Sequence, residues 1–315
     1  MGVGLVCVGL TTLDIAGRPI DRIPEKGGTT LIEGAALSPA GTAGGAALVA
    51  ATLGIPTSVV SAVGDDAAGR LVRSEFERSG VDTSLLATHA DRRTSTTILT
   101  IRSDGERPNF HALGAAMFTE ITPPIVEAGR KAKFVHWGGV GGMKLDGGPG
   151  AEFLCAAKKA GAIVTCDLIG PSGRMQAELE RVLPHVDYFM PNVDEALFVT
   201  NTNDPAKAAA CFQRMGAKTC IFKQGGRGAV RFKGGTRTDF SAHEITPLDT
   251  TSCGDSFCAG FIAALDRGFP EDDACRFAMT TAALVAQDLG TLGKLIDFES
   301  TLRAMTDLPL RQHAA

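Results

Sequence analysis

The chain has 315 residues, 44% hydrophobic and 21% charged, which is typical of a globular protein with a large core. A net charge of −4 and no apolar run of transmembrane length argue against membrane or nucleic-acid partners, and one Tyr and one Trp argue against base-stacking platforms. Eight scattered cysteines form no C-x-x-C pair and no basic leader precedes the first apolar run, so a cytoplasmic protein with reduced thiols is expected.

The first part of the chain predicts strands of two kinds. Apolar runs at 5–8 and 57–63 are typical of strands buried on both faces of a parallel sheet. Residues 94–101 alternate polar and apolar side chains, which indicates a strand with one wet face. We expect this strand to pair with a weaker strand pattern at 28–39 and to form a small sheet that covers Asp14.

From residue 134 onward, strands and helices alternate regularly, which indicates parallel βαβ units and an α/β fold. There is no internal repeat and no linker, so a single domain over residues 1–315 is expected. Earlier helices are predicted from about 44 to 54 and at 67–79. The later strands are predicted at 134–137, 163–167, 188–190, 219–223, 229–232 and 237–240, and the later helices at 150–160, 176–183, 192–200, 205–215, 254–266, 271–287 and from 298.

Several enzyme classes are excluded because their motifs are missing. The sequence has neither a G-x-x-x-x-G-K-[ST] phosphate loop nor a G-x-G-x-x-G turn between a strand and a helix. The six histidines show no metal-ligand spacing, and no G-x-S-x-G elbow is present.

The stretch 247–261 is a polar, glycine-containing turn that opens directly into an apolar helix. Such a turn points several backbone N–H groups at one spot at the positive end of a helix dipole, which makes an anion site. Asp255 lies inside this turn. It is either a helix-start residue that interacts with free N–H groups or a catalytic base placed beside a phosphate.

Three further features of the sequence can each be interpreted in two ways, as structural or as ligand-binding. Asn192 and Glu195 stand three residues apart at a helix start, as in a capping box, but they could instead present oxygens to a metal–phosphate complex. The glycine loops at 41–45 and 223–228 could serve close packing and a plain turn, or let a ligand approach the backbone. Asp14 follows the first strand and is either a loop residue or a ligand-binding residue at the carboxyl end of that strand.

Taken in order, these motifs resemble the PfkB (ribokinase-like) family of ATP-dependent carbohydrate and nucleoside kinases over about residues 3–305. The run D-T-T-S-C-G-D-S-F at 249–257 is similar to the family's C-terminal signature D-T-x-G-A-G-D-x-F. N-V-D-E at 192–195 matches N-x-x-E, Q-G-G-R-G at 224–228 looks like the nucleotide loop, and 39–47 resembles the N-terminal glycine signature. The resemblance implies a three-layer α/β/α fold with a mainly parallel central sheet and a small β-sheet lid.

The resemblance implies phosphorylation of a hydroxyl on a sugar or sugar-derived compound, with ATP as donor. Asp255 would take the proton from that hydroxyl. The backbone N–H groups of Ser252, Cys253 and Gly254 would stabilise the charge on the transferring group. Lid segments near 15–38 and 92–111 would shut out water. The lid edge would cover the site within one chain or pair with a second chain to form a homodimer.

The same resemblance implies roles for the remaining site residues. Asn192 and Glu195 would organise Mg²⁺ and phosphate through water molecules. Lys223, Gly225 and Gly228 would line the nucleotide site.

For the substrate, the resemblance implies that Asp14 binds hydroxyl groups and that Gly41 and Gly45 form the pocket floor. Gly45 stands where the family signature has a substrate-binding Asn, so one hydroxyl partner is missing. The Asn often found near the adenine is also absent around 279–280.

Many family members bind a monovalent cation, K⁺ in particular, beside the anion site. Asp249, Thr251 and Gly290 occupy the positions similar to its ligands. The signature's Gly-Ala is Ser252-Cys253 here, which leaves the backbone donors in place but can restrict φ at residue 252. A thiol at a helix N-terminus is expected to have a lowered pKa, so alkylation of Cys253 should inhibit the enzyme if the thiol is exposed.

Two other functions remain open. A nucleoside kinase of the same family needs an apolar or aromatic wall for the base, for which Phe110, Phe118 and Trp137 are the candidates. A catalytically idle ligand-binding protein on the same fold is favoured by the altered signature, but the joint retention of Asp255, Asn192 and Glu195 speaks against it.

Overall fold

The computed structural model describes residues 4–170 and 175–312. The strands are β1 (Leu5–Gly9), β2 (Thr12–Arg18), β3 (Gly34–Ala40), β4 (Thr57–Gly64), β5 (Leu86–His89), β6 (Thr96–Thr100), β7 (Asn109–Ala112), β8 (Phe134–Gly138), β9 (Ile163–Cys166), β10 (Tyr188–Phe189), β11 (Thr219–Lys223), β12 (Ala229–Lys233) and β13 (Thr236–Phe240). The helices are α1 (Gly44–Thr52), α2 (Ala67–Arg78), α3 (Pro123–Lys131), α4 (Pro149–Lys159), α5 (Met175–Val182), α6 (Val193–Thr200), α7 (Pro205–Arg214), α8 (Cys253–Asp266), α9 (Glu271–Val285) and α10 (Phe298–Asp307).

The central sheet has nine strands in the order β13-β12-β11-β10-β9-β8-β1-β4-β5. The strands from β11 to β5 are parallel, and β12 and β13 form an antiparallel extension. Alternate residues of β1 belong to different cores: Leu5 and Cys7 pack with α1 and α8, whereas Val6 and Val8 pack with α4 and α7. The sheet therefore lies between two helical layers, and the expected three-layer α/β/α fold is confirmed.

A separate sheet of four strands, which we call the lid sheet, has the order β3-β2-β6-β7. The expected direct pairing of the strands near 28–39 and 94–101 is wrong, because β2 lies between β3 and β6 and pairs with both. Asp14 is consequently a strand residue of β2 rather than a loop residue. Only Leu10 and Thr11 separate β1 from β2, so the chain passes almost directly from the central sheet into the lid sheet.

The lid sheet has two chemically different faces, because successive side chains on a strand point to opposite sides. On one face Ser38, Asp14, Thr97 and His111 stand opposite one another across all four strands. On the other face the adjoining residues form an apolar row. Its members, in the same strand order, are Leu37, Ile15, Ile98 and Phe110.

Besides β2, the elements that the sequence pattern did not predict are β5, β7 and α3. β5 and β7 have four residues each, and all four side chains of β7 are exposed, so neither has an informative hydrophobic period. The helix α3 begins with two prolines, a typical helix start. Within residues 4–170 and 175–312 no helix has the length and apolarity needed to cross a membrane.

Candidate active site

A cavity of about 780 Å³ is bounded by the carboxyl ends of the central strands and the polar face of the lid sheet. Most residues singled out from the sequence contribute to its wall, although they come from distant parts of the chain. These residues are Asp14, Gly41, Asn192, Glu195, Lys223, Gly225, Gly228, Thr251, Ser252, Cys253, Gly254 and Asp255. The other three, Gly45, Asp249 and Gly290, lie behind this wall.

The turn at 252–255 leaves several backbone donors free. Ser252 is in the left-handed region, with φ 55° and ψ 6°, and its side chain makes no capping hydrogen bond. Within the described parts of the chain, the N–H groups of Ser252, Gly254 and Asp255 have no backbone acceptor, and that of Cys253 has only a 3.5 Å contact with Thr250 O. The serine therefore keeps the conformation that glycine adopts without strain, and the turn can bind an anion.

Asp255 lies in the first turn of α8 and is not engaged as a cap, since its carboxylate accepts no hydrogen bond from any described residue. Its pKa is raised to about 7 by burial and then by the negative charge of Asp167, while the positive charge of Lys223 opposes this shift. A carboxylate with a pKa near neutrality can both accept a proton and exist ionised at physiological pH.

Gly45 lies directly beneath Asp255. A Cβ atom at residue 45 would stand 2.8 Å from Asp255 Oδ2, closer than any normal contact. The absence of a side chain at this position therefore makes room for the Asp255 carboxylate, a relation that the sequence alone did not reveal.

An ion pair between Asp167 and Lys223 stands beside Asp255 and was missed in the sequence. The Asp167 side chain is 2% exposed and that of Lys223 13%. Burial lowers the pKa of Lys223, but the neighbouring groups, Asp167 first and then Cys258 and Asp255, together more than offset this, so the net shift is upward and the amine stays charged. Asp167 directly follows β9, so the rule that drew attention to Asp14, a polar residue at the carboxyl end of a strand, would also have found Asp167.

The start of α6 has the capping box that its sequence spacing allowed. Asn192 Oδ1 accepts the Asp194 N–H at 2.9 Å, and Glu195 Oε2 accepts the Asn192 N–H at 3.0 Å. Burial, followed by the charge of Asp167, raises the pKa of Glu195 to about 7. Both residues line the cavity, so the structural interpretation holds and the metal–phosphate interpretation stays open.

Asp249 ties the anion-binding turn to the loop around residue 290. Its Oδ1 accepts the Thr251 N–H at 2.8 Å, and its Oδ2 accepts the Gly290 N–H at 3.1 Å. The buried Thr251 hydroxyl has no partner among the described residues. An unpartnered oxygen beside a buried carboxylate suits a hard monovalent cation, although no cluster of three or more His, Cys, Asp or Glu able to hold a metal occurs in the described ranges.

The expected low pKa of Cys253 is wrong. Burial raises its pKa to about 12, and the charge of Arg107 offsets this only in part. The thiol donates to Ala282 O at 3.6 Å, so it is packed against α9 rather than presented as an anion. The helix dipole cannot compensate for the loss of solvent around this sulfur atom.

The lid end of the cavity carries a polar row around Asp14. Burial raises the pKa of Asp14 to about 6, although a hydrogen bond from Thr97 offsets part of this rise. Asp14 Oδ1 has no partner among the described residues. Thr97 Oγ1 also stands 3.0 Å from His111 Nδ1. The buried Thr11 hydroxyl, which sequence reasoning missed, lines the same region and is likewise unpartnered.

The aromatic wall suggested for a nucleoside base is not formed by the expected residues. Phe110 belongs to the outer face of the lid sheet, Trp137 is fully buried in the core, and Arg92 covers the ring of Phe118. None of these three side chains is among the described residues that line the cavity.

The chain has a three-layer α/β/α fold and a β-sheet lid over a cavity that combines free helix N–H donors with carboxylates. This combination is typical of small-molecule kinases of the ribokinase type. The profile of the pfkB family carbohydrate kinases matches residues 4–296. The chain therefore belongs to the pfkB family and is a phosphotransferase.

Individual relatives act on different acceptors. The chain is 28% identical over 307 residues to a nucleoside kinase of Methanothermobacter thermautotrophicus, covering 96% of this chain and 95% of that protein. It is 27% identical to a ribokinase of Arabidopsis thaliana, covering 96% and 80%.

Solved structures agree with this fold. The structure of an Arabidopsis thaliana ribokinase complexed with ribose and ATP has a TM-score of 0.82 at 26% identity, covering 97% of this chain and 99% of that one. An E. coli ribokinase II in complex with ATP and Mg²⁺ has a TM-score of 0.82 at 20% identity, covering 96% and 99%.

Proposed function

We propose that the protein transfers the γ-phosphoryl group of ATP to a hydroxyl of a sugar or sugar-derived compound, with Asp255 as general base. The observation that carries this proposal is the combination at one turn of unpaired N–H donors and an unpaired carboxylate whose pKa is about 7. The donors attract an anion, and the carboxylate beside them accepts a proton.

The substrate hydroxyl would lie between Asp14 and Asp255. Asp14 Oδ1, which is buried without a partner, would accept a hydrogen bond from a second substrate hydroxyl and so orient the first one. Asp255 takes the proton as the hydroxyl oxygen attacks phosphorus, and the N–H groups of residues 252–254 hold the oxygens of the transferring group. Gly41 and Gly45 let the chain pass close to this point without side chains in the way.

Lys223, Gly225 and Gly228 would line the nucleotide phosphates, and Lys223 keeps its positive charge because it is paired with Asp167. The lid segments, about 15–38 and 92–111, would exclude water from the single kinase domain that we propose for the whole chain. A cytosolic location is part of the proposal, since all eight cysteines are free thiols.

Asn192 and Glu195 would hold Mg²⁺ through water molecules, consistent with the reluctance of this ion to lose its hydration shell. When bound, the ion would neutralise phosphate charge. Glu195 would then favour its ionised form, despite a pKa of about 7 without the ion. Asp249, Thr251 and the backbone at Gly290 would hold K⁺ beside the anion-binding turn, with the unpartnered Thr251 hydroxyl as the best-supported ligand.

A sugar is favoured over a nucleoside because none of the three aromatic candidates, Phe110, Phe118 and Trp137, lines the cavity. The similarity to an archaeal nucleoside kinase keeps the nucleoside function as the second candidate. A screen of ATP consumption against neutral sugars, sugar phosphates, sugar acids and nucleosides separates the two. Turnover with a sugar supports the proposal, turnover with nucleosides alone supports the second candidate, and ATP binding without turnover on the whole panel would indicate an idle binding protein.

We also propose that the protein forms a homodimer through the outer face of the lid sheet. Leu37, Ile98 and Phe110 are about half exposed and belong to one row across the strands, in which Ile15 lies between Leu37 and Ile98. Monomers rarely expose contiguous apolar surface of this kind. A second copy presents the same row, so a two-fold contact buries both.

Light scattering after size exclusion tests this dimer. The wild type should have the mass of two chains, and Ile98→Glu should have the mass of one. The control Phe198→Glu, at an exposed apolar residue of α6, should stay dimeric. A monomeric wild type, or a dimeric Ile98→Glu variant, would contradict the proposed interface.

A further inference from the structure

The chain beyond α10 returns to the cavity. Glu244 N donates to Pro309 O at 2.8 Å, Arg311 N donates to Ala242 O at 2.8 Å, and an isolated antiparallel bridge joins His243 to Leu310. Residues 308–312 are thereby fixed along the segment that follows β13. This return segment lies outside residues 4–296, the part of the chain that the family profile matches.

The return segment brings the Arg311 side chain to the glycine loop that follows β11. Arg311 Nη1 donates to Gly226 O at 3.3 Å. A Cβ atom at residue 226 would stand 2.7 Å from the same nitrogen, so the missing side chain makes room for the guanidinium group. Arg311 forms no ion pair with any described carboxylate, so the rest of its guanidinium group is available to a ligand in the cavity, which it lines.

Small and apolar residues make up most of the cavity wall around Arg311, and His243 is a polar member of it. Ala282, whose carbonyl oxygen accepts the Cys253 thiol, connects this end of the cavity to the anion-binding turn. A flat apolar group with a polar edge fits such a lining, whereas phosphate charge is served by the free N–H donors at residues 252–254. The small or apolar residues of this end are Gly225, Gly226, Gly228, Ala242, Ile245, Met279, Ala282, Ala283 and Ala286.

We infer that Arg311 is a nucleotide-binding residue that lays its guanidinium plane on the purine base of the phosphoryl donor. A planar cation stacks on an aromatic ring through cation–π attraction and dispersion, and a guanidinium does so better than an ammonium group. The inference rests on the proposed function, in that it takes this end of the cavity as the nucleotide end. It adds a base contact from a segment that the family profile does not include.

Calorimetric titration with ADP and with adenosine tests this contact in the full-length protein. For Arg311→Ala, the Kd of both ligands should rise by the same factor, about two- to fivefold for an exposed cation–π contact. Arg311→Lys should recover little of the loss, because it keeps the charge but lacks the plane. Arg303→Ala is the matched control, since Arg303 is exposed on α10 and does not line the cavity. Its Kd values should equal those of the wild type.

Three results would overturn the inference while leaving the proposed function intact. They are an unchanged Kd in Arg311→Ala, a loss for ADP but not for adenosine, and full recovery in Arg311→Lys. The last two would assign Arg311 to phosphate charge rather than to the base. Failure of the wild type to bind either ligand would instead overturn the nucleotide site itself, and the inference with it.

Discussion

Two helices, α6 and α8, begin at the wall of the cavity, and their first turns are built in opposite ways. At α6 the side chains of Asn192 and Glu195 occupy N–H groups of the helix start. At α8 the residue before the helix, Ser252, makes no side-chain cap, and the N–H groups of Gly254 and Asp255 have no backbone acceptor in the described parts of the chain. A helix start that its own side chains satisfy has few donors left for a ligand, whereas the α8 turn keeps donors that could bind an anion.

The carboxylates of the two turns also differ in their hydrogen bonds. Glu195 is already a hydrogen-bond acceptor, whereas Asp255 has no partner among the described residues. Both have a pKa of about 7, chiefly through burial. A similar pKa therefore accompanies two arrangements, a carboxylate that is held as a helix cap and a carboxylate that makes no hydrogen bond to a described residue.

Among substitutions that keep Asp255 itself, the largest effect on this contrast is expected from Gly45→Ala. The new methyl group would stand 2.8 Å from Asp255 Oδ2 and must displace the carboxylate. We expect kcat to fall about 100-fold, the size of loss that a displacement near 1 Å produces, with little change in ATP affinity. Steady-state kinetics and ATP titration measure both. Gly34→Ala is a control for the added methyl group, since residue 34 has no positive φ and its new methyl group would stand 3.4 Å from Leu289 Cδ1, an ordinary contact. Unchanged kcat in Gly45→Ala would mean that Asp255 does not need its present position.

A smaller effect is expected when the charge beside Asp255 is altered. Lys223 lowers and Asp167 raises the pKa of Asp255. The base must be ionised to act, so kcat/KM should fall as the pH drops below about 7. In Lys223→Gln this acid limb should move to higher pH, and in the double variant Asp167→Asn/Lys223→Gln it should move back. The pH profiles of kcat/KM measure the shift, and identical limbs in all three proteins would contradict the assignment.

The smallest effects concern the stability of the two helix starts. Asn192→Ala should lower the free energy of unfolding by about 1 kcal/mol, because it removes a side-chain cap. Ser252→Ala should change it by less than about 0.5 kcal/mol, because Ser252 provides no cap and alanine tolerates its positive φ no better and no worse. Urea unfolding curves test the pair, and equal losses in the two variants would show that the two turns are capped alike.

The sequence predicted the motifs better than their surroundings. The run 249–257, the helix start at 192 and the glycine loop at 225–228 are local patterns with local geometry, and most of their residues line the cavity. The place of β2 between β3 and β6 depends on pairing between distant segments, which local alternation does not encode.

The pKa of Cys253 could not be derived from its position at a helix start. Its shift depends on burial, which the local pattern does not reveal, and its thiol packs against Ala282, 29 residues away in the chain. The relation between Gly45 and Asp255 is likewise a contact across 210 positions. By contrast, Asp167 could have been found, because it is the last residue of the strand that the pattern predicted at 163–167.

The central claim is that the free carboxylate in the α8 turn is the base, and Asp255→Asn tests it most directly. The measurement is the rate of phosphoryl transfer in Asp255→Asn at saturating ATP and acceptor, with ATP affinity measured alongside. We expect the rate to fall about 10²- to 10⁴-fold while ATP still binds. The variant should melt no lower than the wild type at pH 7, because folding raises the pKa of Asp255 and ionising it therefore opposes stability above pH 4. A rate equal to that of the wild type, in a folded variant that binds ATP, would contradict the claim.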